Sequence, residues 1–503
     1  MQATAFDLHQ RGLSCIHRHE YPQAVEYTIQ AIEQDPQNAD LFNTLGYAML
    51  MLQQFDAAIE CFDQSIALNP GLPDPHLNKG NALHKMHRHE LAIAQFNRAL
   101  ELRPNYVEAY SNRGNAQMAL RHIADALASF DAALELNPCS PALLNHQGTA
   151  YKHQGNLVAA LASYDAALAI EPGFVNALVN RANALLDFGH KDQALTAYDQ
   201  AIATDPTNAD AQYNRGLCLL QMGRLTEGWQ GYEWRWQKPE AKTPYLVTSK
   251  PVLPLHGKTQ RLLIWSEQGV GDEIMFASLF KLARQLAYKI LVQTDARLIP
   301  IFERSFPDFE FYPRHTTVDE DSYDHHLPIG SLCGFFLHTL DDFKLINTPF
   351  LVPSPVHDIQ ASGILDPHKI NCGISWRSAN LTVGLDKSLT LIEFVKRLPV
   401  ENLNLINLQY GDVREELAQL KAETGIHVHQ HPTIDNMQDL HGLSALIHAC
   451  DEVVTVSCAT AHLAGAVGKK CFLLIKNHKD WRWDIHVKKY ISWYSKTIFI
   501  SIS

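Results

Sequence analysis

Cysteine pairing is the first thing this 503-residue chain lacks. Its nine cysteines are scattered, with no C-x-x-C pair among them. No disulfide framework is legible, and the usage suits a reducing compartment where thiols stay free. Long apolar runs are missing too: none approaches the ~20 residues that a membrane helix needs. The opening MQATAFDLHQRG has neither a basic n-region nor an apolar h-region, so no secretory leader is expected. Basic charge is scarce. Lys and Arg number 42 against 54 Asp and Glu, for a net charge of −12. That balance argues against a nucleic-acid binder, which needs a basic surface to neutralise phosphates. It leaves room for an acidic ligand in a local basic pocket. No G-x-x-x-x-G-K-[ST] occurs, so P-loop chemistry is absent. A cytoplasmic protein is expected, with about three domains at ~150 residues each.

A strict repeat fills the first half. Glycines fall at Gly12, Gly46, Gly80, Gly114, Gly148 and Gly216, in steps of 34 residues, with Ala182 in the gap. Twelve residues after each comes Ala24, Ala58, Ala92, Ala126, Ala160, Ala194 or Gly228. Four further on stand Thr28, Phe62, Phe96, Phe130, Tyr164, Tyr198 and Tyr232, and prolines recur at 36, 70, 104, 138, 172 and 206. This is the tetratricopeptide signature. Each unit is a helical hairpin. The small residues mark a close helix–helix approach, the aromatic fills space, and the proline stops the second helix. No unit buries its apolar face alone, so the units stack into an α-solenoid with a groove. Six full repeats are expected, and a seventh that shades into EGWQGYEWRW.

A second ladder runs inside the first. Asn78, Asn112, Asn180 and Asn214 precede the glycine position by two residues, and Asn81, Asn115 and Asn183 follow it by one. The two sets are three apart and share a helical face. Asparagine is a mediocre helix former, but its amide both donates and accepts. One reading is a column that pairs with the backbone of an extended protein or peptide partner; the other is that these amides link adjacent repeats.

Residues 239–260 carry four prolines and no period, which reads as a linker. Beyond it short apolar strands alternate with helices, which argues a parallel sheet with helices on both faces. RLLIWS at 261–266 is followed by a helix to about Leu286, then KILVQT at 289–294 and FEFY at 309–312. A loop-rich part follows. The pattern restarts with INCGISW, LNLINLQ, IHVHQ, EVVTVS and CFLLI. The domain reading is therefore a repeat solenoid over 1–238, a linker over 239–260, and Rossmann-like halves over 261–360 and 361–503.

Three places carry candidate chemistry. Gly269 and Gly271 satisfy two positions of G-x-G-x-x-G, but the third is Ile274, so the dinucleotide fingerprint is incomplete. EVVTVSCATAHLAGAVG is a strand entering a helix through Ser457, Cys458, Ala459 and Thr460. Small residues there let a ligand approach the backbone, and the helix start favours an anion. His462 is placed to hydrogen-bond a phosphate or a sugar; packing against the sheet is its other role. His427, His429 and His431 share one face of a strand, but no cysteine or carboxylate stands at ligand spacing, and no metal site is assigned.

Taken in order, LLIWSEQGVGDEIMFASLF, HLPIGSL, GISWRS, LQYGD, EVVTVSCATAHLAGAVGKK and DWRW resemble bacterial tetratricopeptide-repeat proteins with a heptosyltransferase-like glycosyltransferase domain. More loosely, the layout and its asparagine column are similar to the O-linked N-acetylglucosamine transferases. The resemblance implies a two-domain GT-B fold and inverting, metal-independent transfer of a hexosyl or heptosyl group. It implies a nucleotide-diphosphate sugar as donor and no further cofactor. It makes Asp272 the general base and puts Arg377 and Lys387 in the donor-side loop, with the 361–503 half on the nucleotide-sugar side. This chain departs from the family at Ser457-Cys458, where heptosyltransferases usually have Asp-Thr.

Two functions are therefore open. One is a glycosyltransferase that selects its acceptor, possibly a protein or peptide, through the solenoid. The other is a non-catalytic scaffold whose second half is a degenerate nucleotide-sugar-binding domain; Cys458 and the ending on a strand-like segment favour it.

Overall fold

A computed structural model describes residues 3–238, 246–354, 359, 363–378, 387–475, 481–484, 486–487, 490–491 and 493–502. The chain divides into two compact units, Met1–Pro206 and Thr207–Ser503.

The first unit is all-helical. Twelve helices run from α1 (Ala5–His17) to α12 (Lys191–Thr204), each hairpin repeating a 13- or 14-residue pair. The glycine position has a specific reason. A Cβ on Gly80 would stand 2.5 Å from Cε1 of Phe96, and one on Gly114 would stand 2.5 Å from Cε1 of Phe130. The aromatic of the second helix packs so closely on the first that a Cβ at these two glycines would force its ring to shift. Phe62, Phe96, Phe130, Tyr164 and Tyr198 are all fully buried. In the first hairpin Thr28 takes the aromatic's place, and its hydroxyl donates to Ala24 O at 2.7 Å. The turn inside each hairpin carries one residue in the left-handed region: His19, Gln53, His87, Arg121, Gly155 and Gly189, again 34 apart. The first four pay for that conformation with a side chain; the later glycines adopt it freely.

The second unit opens with one more hairpin, α13 (Ala209–Gln221) and α14 (Leu225–Tyr232). Here Gly216 meets the backbone of Gly231. Two parallel sheets follow. The first holds β1 (Thr259–Trp265), β2 (Ala287–Thr294), β3 (Glu310–Pro313) and β4 (His325–Pro328), in the order β3-β2-β1-β4, all parallel. The second holds β5 (Ile370–Ser375), β6 (Leu403–Asn407), β7 (Val428–His429), β8 (Glu452–Val456), β9 (Lys470–Ile475), β10 (His486–Val487), β11 (Tyr490–Ile491) and β12 (Thr497–Ser501). Its order is β10-β11-β12-β9-β8-β5-β6-β7, with β10 and β11 antiparallel. Counted within the half, the parallel strands read 3-2-1-4-5-6, the order of doubly wound dinucleotide folds. The sequence pattern missed β4, and the expected helix to Leu286 breaks after Ala277. One apolar core joins α13, α14, the first sheet and the helix Ala459–Ala466. No helix among the described residues is long and apolar enough to cross a membrane.

Candidate functional site

In doubly wound sheets ligands lie beyond the carboxyl ends of the strands, where the strand order reverses. That point falls between β5 and β8 in the second sheet and between β1 and β4 in the first. Three loops that carry candidate residues leave these strand ends. The β1 loop holds Gly269, Gly271 and Asp272; the β5 loop begins at Trp376 and Arg377; the β8 loop is Ser457-Cys458.

The structure brings the first and last of these together. Helix Val270–Ala277 packs against helix Ala459–Ala466. A Cβ on Gly271 would stand 3.0 Å from Cδ2 of His462 and 3.5 Å from Cα of Ala459. A side chain at 271 would press on the His462 ring. Asp272 lies in the first turn of its helix, which has Gly269 as N-cap and no side-chain cap. The Ala459–Ala466 helix likewise starts at Cys458 with no side-chain cap. The Thr460 hydroxyl beside that start is buried without a partner among the described residues.

Three carboxylates crowd the β1 loop, and burial separates them. Glu273 is fully buried and takes up Arg314, the hydroxyl of Thr294 and the N–H of Asp295, at 2.9 Å for the last. Burial pushes its carboxyl above the usual range, with Arg314 pulling the other way. Glu267 is also buried. It accepts from Arg235 at 3.2 Å and from Gly330 N at 3.2 Å, while its Oε2 has no partner among the described residues. Burial pushes it up to about 7, against the pull of Arg235. Only Asp272 keeps an exposed edge, with 17% of its side chain accessible against 1% for Glu267 and none for Glu273.

Glu267 yields a pH prediction. Its folded pKa is raised above the unfolded value, so its contribution to stability is fullest below about 4.5 and falls as pH rises towards 7. The loss should reach about 3 kcal/mol and then level off. Glu267→Gln is therefore expected to be relatively more stable at pH 8 than at pH 5. Denaturant melts of both proteins at the two pH values check this, and a pH-independent difference would contradict it.

Sequence reading included Arg482 and Trp483 in the DWRW segment without giving them a role, and missed Tyr494. Arg482 Nε donates to Asp272 Oδ1, forming an ion pair, and its NH2 reaches Gln268 Oε1 at 3.4 Å. Trp483 Nε1 donates to Ser457 Oγ at 2.8 Å, and its ring stacks on His462 at 4.4 Å between centroids. His462 Nδ1 lies 3.0 Å from the Tyr494 hydroxyl. The protein's own side chains therefore occupy the space around Ser457 and His462. One signal was available: Gly465, whose Cβ would meet the Tyr494 ring.

The other candidates lie apart. Cys458 turns inward, its Sγ 3.3 Å from Thr455 Oγ1 and 3.6 Å from Ser375 Oγ. The thiol fills a gap between β5 and β8. Arg377 pairs with Glu416 at 3.0 Å and donates to Asp412 O at 3.1 Å. Its backbone N–H, and that of Trp376, donate to the buried amide oxygen of Gln409, each at 2.9 Å. Lys387 is partly buried, and most of the loop before it lies outside the described residues. His427 and His429 stack edge to face at 4.5 Å, while His431 Nδ1 accepts from the backbone of Thr433 and Ile434.

Within the asparagine ladder, Asn78 donates to Asn43 at 3.0 Å, Asn112 to Asn81 at 2.8 Å and Asn180 to Asn145 at 2.9 Å. Each bond joins neighbouring repeats. Asn183 accepts from the Tyr198 hydroxyl at 2.6 Å. Asn115 and Asn214 are partly buried on α7 (Val107–Ala119) and α13.

Comparison with known proteins bears on the repeats. Tetratricopeptide-repeat profiles match residues 39–72, 111–173 and 179–228, and a TPR-repeat profile matches 88–120. Protein FlbA of Caulobacter vibrioides is 32% identical over 299 residues, which cover 54% of this chain and 48% of FlbA. The chain thus spans about half the length of that curated relative. A tetratricopeptide repeat protein of known structure from Parabacteroides merdae is 17% identical over 47% of this chain and 94% of its own, with a TM-score of 0.42. The Pseudomonas aeruginosa PilF structure is 21% identical over 41% and 95%, with a TM-score of 0.37. The chain carries tetratricopeptide repeats, followed by a parallel α/β region.

Proposed function

We propose that the protein is an inverting glycosyltransferase of GT-B type. The repeats hold a protein or peptide acceptor, and the 261–360 and 361–503 halves take a nucleotide-diphosphate sugar. One observation carries this reading. Asp272, the only β1-loop carboxylate with an exposed edge, stands beside an uncapped helix start where the Thr460 hydroxyl is buried and unsatisfied. A base and an anion-binding helix end are the two parts such a transfer needs. Asp272 takes the acceptor proton as the nucleophile attacks. Backbone N–H groups and a cation receive the charge that builds on the leaving diphosphate. Mechanistically no covalent step falls to the protein.

A second reading is favoured by Trp483 on Ser457 and Arg482 on Asp272, which satisfy site groups from within. It makes the α/β region a partner of the repeats without turnover. A thermal-shift screen of UDP, GDP and ADP and their sugars decides between them. At a ligand concentration a hundred times Kd, binding adds about 2.7 kcal/mol, a shift of a few degrees. A flat response to every compound would leave the scaffold.

A further inference from the structure

Arg482 lies in the DWRW segment, to which the sequence assigns no role, and it is the cation paired with the proposed base. Its neighbours in the chain are anchored, while its own side chain pairs with Asp272 and reaches Gln268. Trp481 on one side is 4% exposed and packs edge-on against Trp229 at 5.8 Å and tilted against Tyr232 at 5.6 Å. Trp483 on the other side is 3% exposed, bonded to Ser457 and stacked on His462. Between these two anchors the Arg482 side chain keeps 23% of its surface, with its guanidinium over the Trp481 ring at 4.9 Å. Asp272 follows Gly271, and Gly271 rests on Ala459 and His462 at the helix start. The guanidinium is thus linked through Asp272 to the contact that Gly271 makes with this helix start, which has no side-chain cap and whose Thr460 hydroxyl is buried without a partner among the described residues.

The geometry points to Arg482 as a diphosphate-binding residue that rests on Asp272 and exchanges it for the donor's diphosphate. This inference rests on the transferase reading above. A guanidinium fork matches a carboxylate and a phosphate equally well in shape, and a diphosphate carries more charge. The exchange also uncovers the Asp272 carboxylate at the moment the donor is in place.

The sign of one substitution separates this role from that of a plug. Binding of inorganic pyrophosphate, UDP, GDP and ADP to the full chain is measured by calorimetry for the wild type, Arg482→Lys and Arg482→Ala. A ligand role predicts weaker binding: about tenfold or more for Arg482→Ala, and a smaller loss for Arg482→Lys, which keeps the charge but loses the fork. Uridine, which has no phosphate, should not respond to either change. Arg482→Lys keeps the test open if Arg482→Ala does not fold. Unchanged or tighter binding of the diphosphates would overturn the proposal while leaving the transferase reading in place. No binding of any probe to the wild type would overturn both.

Discussion

Replacing Phe130 by alanine is expected to cost about 3–5 kcal/mol and to open the α7 and α8 (Ile123–Leu136) hairpin first. The ring is wholly buried and lies on Gly114, which has no side chain to move into the gap. Its neighbours Ala126 and Ala133 are equally buried and small. The site therefore has little capacity to collapse, and the cost should fall in the upper part of that range. In a repeat stack each unit is supported by its neighbours, so loss at one hairpin is felt at the next. Hydrogen exchange followed by mass spectrometry is the right measurement, because two compact units need not unfold in one step. Exchange should accelerate most in 107–136. A uniform change along the chain, or none, would show that the aromatic–glycine contact is not what holds the hairpin.

Asp272→Asn is expected to lower transfer by about 10²–10⁴-fold. The change is nearly isosteric, removes the charge and leaves an amide oxygen for Arg482. The neighbouring carboxylates cannot take over. Glu273 is enclosed by Arg314, Thr294 and Asp295, and Glu267 by Arg235 and Gly330. Release of nucleoside diphosphate from whichever sugar donor gives the largest thermal shift supplies the assay, with water as acceptor if need be. Donor binding should survive the substitution. Retained turnover in Asp272→Asn would remove Asp272 from the chemistry.

What the chain disclosed in advance depended on distance along it. The repeats were legible because the small residue and the aromatic sixteen residues on, as Gly80 and Phe96, recur in register with only Thr28 and Ala182 departing in the first six copies. The strands β1, β2, β5, β6, β8 and β9 announced themselves as apolar runs of Val, Ile and Leu. By contrast β4 is four residues, His325–Pro328, with two imidazoles and a proline, and no apolar period survives in so short a segment. Asp272 and Ser457 could be named from their turns. Arg482 could not, since it meets Asp272 across 210 residues and nothing local marks the pairing. The inward turn of Cys458 depends on Ser375 and Thr455, and the first of these lies 83 residues away.

In the first unit the aromatic and the small residue beneath it belong to the same 34-residue module, as Gly114 and Phe130 do. A duplicated or deleted module would bring both halves of that match with it, or take both away. The number of modules is thus open to unequal recombination with no compensating change in the remainder, and the length of the solenoid can evolve faster than the α/β region that follows it.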